Sequence, residues 1–278
     1  MKCIFTIDVE DWFHILGIPS APALEEWDKL PSRVENNYYR LLDILSEKNL
    51  KATCFFLGWI AEKYPHLVSE CVSRGHEIAS HGYGHKLVYK MSEKEFSDDA
   101  IISKKIIEDI SGQKVNGYRS AGFSITEKCP WFFDALVRAG YKYDSSIFPA
   151  RRGYGGIETA GLAPGNIKTP SGKLIEFPIS VANILGMRVC FFGGGYLRLF
   201  PERVINIMAR KVLLDNRPVI FYIHPRDIDP EQPRLPMNMI RRFKSYVNLR
   251  GTENKVRRLL DRYSWVTMKE FMKREFIQ

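Results

Sequence analysis

The chain has 278 residues, 45% hydrophobic and 26% charged, with 41 Lys and Arg against 32 Asp and Glu for a formal net charge of +9. That length holds one large domain or two small ones, and the composition is that of a globular protein rather than a disordered or fibrous one. No 18-residue apolar run occurs, so no stretch reads as a membrane-spanning helix.

The charge is uneven. Arg226 to Gln278 hold 13 Lys and Arg against 7 Asp and Glu, a surplus of 6 in that tail. A solvated basic helical face is the plainest reading; an anionic substrate or an acidic membrane surface is the sharper one. No recognised nucleic-acid-binding module accompanies the charge, so no nucleic-acid partner is expected.

In chain order, the N-terminus "MKCIFTIDVEDWFH" places acidic residues where a signal peptide is still apolar, so a cytoplasmic protein is expected. The five cysteines, 3, 54, 71, 129 and 190, are scattered and form no C-x-x-C, as suits free thiols in a reducing compartment. Seven short apolar runs read as strands: 3–9, 52–58, 76–80, 117–121, 141–146, 174–180 and 218–224. Amphipathic stretches at 34–49, 60–75, 92–112 and 129–140 read as helices between them. Ser92 followed by Glu95 forms a capping box, and Gly75, Gly112 and Gly140 stand where helix C-caps belong. This alternation implies parallel strands with right-handed crossovers, and seven of them suit a barrel. Ala150 to Pro170, with seven glycines and prolines, is expected to be a long loop over one end of the sheet. "FFGGGYLRLFP" at 191–201 is a second interruption, and neither is a P-loop.

Polar groups gather at the carboxyl ends of these strands, where chemistry collects in parallel α/β folds. "SHGYGH" spaces His81 and His85 four apart across a glycine-rich turn, a spacing that suits a pair of metal ligands. The first strand ends in Asp8, Glu10 and Asp11; the others carry Arg119, Asp144 and His224. Singly, each has an ordinary alternative: a helix cap, a structural ion pair, a strand end. Together they make chemical sense. Two imidazoles and a carboxylate leave open positions on a divalent metal. A second carboxylate can take a proton from water, Arg119 can keep that carboxylate ionised, and a histidine across the pocket can protonate a leaving group. That is metal-assisted hydrolysis of an acyl bond, and no G-x-S-x-G nucleophile motif is present.

"FTIDVEDWFH", "GHEIASHGYGHKLVY", "GYRSAGFSIT", "YKYDSSIFP" and "FYIHPRDIDPEQPR" resemble, in order, the motifs of NodB-homology polysaccharide deacetylases, the fourth carbohydrate-esterase family. The "DVED" start and "DPEQPR" tail resemble its exopolysaccharide-locus branch. The resemblance implies an α/β fold, a single distorted (β/α)7 barrel of the NodB-homology type, across residues 1–278. Residues 226–278 would be a basic C-terminal extension packing on the barrel. It implies Asp8 as catalytic base, His81 and His85 as metal ligands, and Arg119 as the arginine that tethers the base. It further implies Asp144 as the carboxylate orienting that arginine, and His224 as general acid, kept protonated by a neighbouring carboxylate. The metal carboxylate is Glu10 or Asp11; strand alternation puts Glu10 on the side of Asp8 and favours it. "RSA" and "HPRD" depart from the usual pattern, in ways expected to touch substrate contacts.

The expected activity is removal of an N-acetyl group from an amino sugar, nucleotide- or lipid-linked, in surface-polysaccharide or glycolipid synthesis. The expected cofactor is a divalent metal, Zn2+ first, with Co2+, Ni2+ or Mn2+ as alternatives. The competing readings are hydrolysis of another non-peptide C–N bond, such as a cyclic imide or ureide, and a non-catalytic carbohydrate-binding protein on the same scaffold. The expected location is the cytoplasm, with peripheral contact at the inner face of an acidic membrane.

Overall fold

The computed structural model describes residues 2–151 and 155–276. All seven predicted strands form. They are β1 (Cys3–Val9), β2 (Thr53–Phe56), β3 (Glu77–Ser80), β4 (Gly117–Tyr118) and β5 (Tyr143–Asp144), then β7 (Gly172–Glu176) and β10 (Val219–Ile223). Four others fall outside the prediction: β6 (Gly165–Thr169), β8 (Ala182–Ile184), β9 (Met187–Val189) and β11 (Trp265–Val266). The sheet runs β10-β1-β2-β3-β4-β5-β7-β6, parallel except for the antiparallel β6–β7 hairpin, and β11 adds to β1 in parallel. The curled sheet and its surrounding helices are an α/β barrel of the expected class, distorted where β7 and β10 fail to pair. There Ser180 bridges instead: its hydroxyl donates to the Pro218 carbonyl and accepts from the Ile220 N–H.

Register decides which side chains point inward. Thr6 pairs with Thr53, Thr53 with Glu77, Gly117 with Tyr143 and Tyr143 with Ile175, while Thr6 pairs with Tyr222 on the other side. With a two-residue side-chain period, even positions of β1 and β10 and odd positions of β2 to β5 and β7 therefore share one face. Ile4, Phe55, Ala79, Tyr143, Ile175, Ile220 and Tyr222 form the apolar cluster inside the barrel. Phe5, Ile7, Val9, Cys54, Phe56 and Ile78 belong to the larger cluster under the helices. The inner face is apolar at its base. Toward the carboxyl ends it turns polar, through Thr6, Asp8, Arg119, Ser145 and His224.

The helices follow the sequence with two amendments. Ser92 caps Glu93–Ser111 through the predicted box, and Gly112 ends that helix at φ 65°. The stretch 60–75 is split, because Pro65 starts a new helix (Pro65–Ser73) after Gly58–Lys63. The expected loop 150–170 is corrected at its end, where Gly165–Thr169 is hairpin strand; residues 152–154 of that expectation lie outside the described residues. In the basic tail, the helices Met239–Tyr246, Leu249–Leu260 and Met268–Glu275 accompany β11. The second interruption also has a cause. A Cβ on Gly193 would lie 2.1 Å from Cδ1 of Tyr222, so the Tyr222 ring lies directly against a backbone that only glycine can supply. No helix among the described residues is long and apolar enough to cross a membrane.

Candidate active site

The end of β1 sorts its three acids by parity. Asp8 and Glu10 turn into the barrel mouth, and Asp11 turns the other way. Asp11 accepts hydrogen bonds from the N–H groups of Arg33 (2.9 Å) and Val34 (3.1 Å) and from the Ser32 hydroxyl (2.6 Å). It thereby caps the helix Val34–Glu47, whose own N-cap residue Arg33 offers no side-chain bond. Such a cap stabilises by about 0.5–2 kcal/mol. Burial raises the Asp11 pKa against these bonds. The alternative of Asp11 as metal carboxylate is thus corrected: its oxygens are committed to a helix end.

Glu10 stands where the two histidines converge. Its Oε1 lies 3.0 Å from His81 Nε2 and 2.9 Å from His85 Nε2. Donor atoms of Glu10, His81 and His85 lie within 4.8 Å of one another, as do those of Asp8, Glu10 and His224. Two imidazole nitrogens and a carboxylate oxygen are a donor set that suits zinc and its divalent neighbours. His81 is prepared for it: its Nδ1 faces the Arg119 carbonyl at 2.8 Å, so Nδ1 carries the proton and Nε2 is the free ligand atom. Burial would raise the Glu10 pKa, but the imidazoles of His85, His224 and His81 gathered around it hold it well below the usual range. Burial likewise works against a charged His81, and the Glu10 hydrogen bond and Asp8 charge more than offset it, so its pKa is raised. A cluster that strains to keep opposite charges together in a buried mouth is a fit for a cation.

The turn that aims the histidines is held from outside. Gly82 sits at φ 75°, and a Cβ there would lie 2.7 Å from Asp99 Oδ1. Asp99, on the helix Glu93–Ser111, accepts the N–H groups of Tyr83 (2.9 Å) and Gly84 (3.2 Å). His85 itself takes φ 51°, a left-handed conformation uncommon for residues other than glycine. The glycines of "SHGYGH" therefore answer to the carboxylate bracing the turn. Asp99 was not singled out in the sequence because nothing links an acid fourteen residues downstream to that turn.

Arg119 is fully buried and reaches across the barrel to Asp8, Nη1 to Oδ1 at 2.6 Å. The same nitrogen donates to Thr6 Oγ1 (2.8 Å), Nη2 donates to Ser145 Oγ (3.2 Å), and the guanidinium lies 4.0 Å over the Phe55 ring. Asp144 does not touch it. Tyr118 pairs with Asp144, so Arg119 and Asp144 face opposite sides of the sheet, and the expectation that Asp144 orients Arg119 is corrected. Asp144 instead accepts from the Ser146 N–H (3.0 Å) and hydroxyl (2.6 Å). Burial raises its pKa to about 6 and that of its neighbour Glu176 well above the carboxylate range. Ser145 and Thr6 do the orienting.

His224 ends β10 with Nε2 3.8 Å from both Asp8 Oδ2 and Glu10 Oε1. Its Nδ1 lies 2.9 Å from Asp227 Oδ2, which also takes the His224 backbone N–H. Asp227 is in turn paired with the buried Arg198. The imidazole is not kept protonated as expected: burial lowers its pKa to about 4, and Glu10 and Asp8 offset only part of that. Asp227 is the residue behind the "HPRD" departure. Three positions after the histidine, it supplies that ring with a local carboxylate partner.

An open cavity of about 440 Å³ joins these groups, lined by Asp8, Glu10, His14, His85 and His224 on one side. Phe123, Tyr196, Leu199 and Phe243 supply its apolar walls.

Residues 25–143 match the family model "Polysaccharide deacetylase", and 145–273 match a domain of unknown function, DUF3473. The deacetylase match takes in 119 of the 278 residues. A peptidoglycan-N-acetylglucosamine deacetylase of Bacillus cereus is 37% identical over 73 residues, 26% of this chain and 26% of its own length. A peptidoglycan deacetylase of Helicobacter pylori is 30% identical over 108 residues, 39% of this chain and 36% of its own. The match thus spans about a quarter to about a third of these curated relatives. Among solved structures, a Mycobacterium smegmatis protein assigned as a polysaccharide deacetylase superposes with TM-score 0.64 at 19% identity, over 98% of this chain and 89% of its own. Puue allantoinase superposes with TM-score 0.63 at 14% identity, over 100% of this chain and 91% of its own. These likenesses carry the NodB-type fold. The deacetylase match covers β2 to β4 with His81, His85 and Arg119, the DUF3473 match covers β10 and His224, and β1 with Asp8 and Glu10 precedes both.

Proposed function

We propose that the protein is a metal-dependent N-deacetylase of an amino sugar, and one observation carries the reading. Glu10, His81 and His85 converge on one point in the barrel mouth, with an arginine-paired carboxylate and an aspartate-paired histidine beside it. Zinc or a related divalent ion, held by Glu10, His81 and His85, would polarise the acyl group and acidify water. The rest is done by the chain. Asp8, held by Arg119, takes the water proton at Oδ2, the oxygen turned toward His224. His224 starts neutral, with Nδ1–H given to Asp227 and a bare Nε2 facing the reaction space. It must gain a proton at Nε2 before passing one to the departing sugar nitrogen, because an unprotonated amide nitrogen leaves poorly. β10, within the DUF3473 match, pairs directly with β1, which supports His224 acting together with Asp8 and Glu10.

Zinc-loaded protein should release acetate from N-acetylated amino sugars, and chelation should abolish the release. Ring opening of a cyclic ureide, with no acetate released from any amino sugar, would favour the other C–N hydrolases.

The rim of the cavity bears on the form of the substrate. The helix Met239–Tyr246 exposes Met239, Ile240 and Phe243 at 87%, 71% and 55%, interleaved with Arg242 and Lys244. An apolar and basic rim favours a lipid-linked saccharide presented at an anionic bilayer over a free nucleotide sugar. The five buried free cysteines suit the cytoplasmic side of that membrane, and an exopolysaccharide or glycolipid pathway would supply such a substrate. Salt-sensitive binding to phosphatidylglycerol vesicles, lost in Phe243→Asp, is expected; binding unaffected by Phe243→Asp would contradict it.

A further inference from the structure

Four histidines gather at the barrel mouth, and their neighbours fix which nitrogen of each ring carries the proton. Nδ1 of His81 faces a carbonyl and Nδ1 of His224 faces a carboxylate, so both donate there and leave Nε2 as an acceptor or ligand atom. His14 is set the opposite way. Its Nδ1 accepts the backbone N–H of Asp11 at 2.9 Å, within a tight turn closed by the His14 N–H on the Asp11 carbonyl. The proton of the neutral ring is therefore on Nε2.

That N–H has no partner among the described residues, although the side chain is only 2% exposed. Leaving a buried donor unsatisfied costs about 1–3 kcal/mol. The ring has little freedom to seek a partner elsewhere. Trp27 packs at a centroid distance of 4.2 Å, Phe13 at 4.5 Å and Trp59 at 5.8 Å. On the remaining side lie the cavity and His85, whose ring centroid is 5.8 Å away. An unpaired donor, locked by aromatic rings beside the proposed metal ligands, is a site made to meet an acceptor brought by a ligand. The tautomer also rules out the other reading of a fourth histidine. To bind metal through Nε2, neutral His14 would need its proton on Nδ1, directly against the Asp11 N–H.

We propose that His14 donates its Nε2–H to an oxygen of the acyl group bound over Glu10, His81 and His85, and is not itself a metal ligand. This rests on the deacetylase reading, in which that oxygen gains negative charge as the amide is attacked. A preorganised donor aimed at such an oxygen contributes about 10²–10³ in kcat.

Acetate, the product that keeps the acyl oxygens, is the probe. Zinc-loaded wild type and His14→Phe would each be titrated with acetate by calorimetry, after the zinc affinity of each is measured. Phenylalanine keeps the aromatic packing and removes the donor. The expected result is acetate affinity about tenfold lower in His14→Phe, one hydrogen bond's worth, with zinc affinity within about threefold of wild type. Equal acetate affinity in the two proteins would overturn the proposal, and so would a large loss of zinc affinity, which would make His14 a ligand. Nitrogen-15 spectra of the wild-type imidazoles provide a check that needs no variant. The Nε2–H tautomer supports the assignment, and the Nδ1–H tautomer refutes it. Failure of wild type to bind zinc or release acetate would sink the deacetylase reading and this proposal with it; intact release with equal acetate affinities would sink His14 alone.

Discussion

Asp8→Asn should keep the metal and lose turnover by about 10²–10⁴, the usual contribution of a positioned general base. The amide can still accept the Arg119 hydrogen bond made to Oδ1, but it cannot take up a proton at Oδ2. Geometry should survive because Thr6 and Ser145 hold the guanidinium independently of Asp8. Stability should not. Arg119 is fully buried, and removing the carboxylate it is paired with leaves a poorly compensated charge, a loss of about 3–5 kcal/mol. Turnover must therefore be expressed per folded, metal-loaded molecule. A value within threefold of wild type would remove Asp8 from the chemistry, and loss of the metal would make it a ligand.

His224→Ala should lower kcat by a similar factor, about 10²–10⁴, with metal affinity nearly unchanged. Nε2 sits 3.8 Å from the nearest carboxylate oxygens, outside the Glu10, His81 and His85 group, so it stands as a proton carrier. The structure adds a pH signature. Burial holds its pKa at about 4, so the ring is neutral at neutral pH and its essential proton arrives during the cycle. Activity should therefore not rise as pH falls from 7 toward 5. A rise, lost in His224→Ala, would show that the free enzyme needs the histidine already charged.

The seven strands of the barrel were legible because buried parallel strands read as apolar runs, and every one of those runs paired. The polar strand ends were legible for a related reason. Asp8, Arg119 and His224 interrupt apolar runs at the one end where side chains meet ligands. What escaped depended on pairing between distant segments. Parity separates Arg119 from Asp144, yet it follows from the register of β4 against β5, which no local pattern gives. Strand alternation favoured Glu10 over Asp11, but that Asp11 caps the helix Val34–Glu47 follows only from how that helix packs. His14 lies in the same motif as Asp8 and Glu10, but its role depends on a single backbone N–H, and that is a property of a turn. The hairpin strand β6 was hidden by the glycines and prolines around it, whose company suggested loop throughout.

The central claim is that one divalent ion is held by Glu10, His81 and His85. Titration of zinc into wild type, Glu10→Gln and His81→Ala, read as stoichiometry and Kd, tests it most directly. One ion per wild-type chain, with affinity at least about 100-fold weaker in both variants, is the predicted result. Equal affinity in all three proteins, or no zinc bound by wild type, would contradict it.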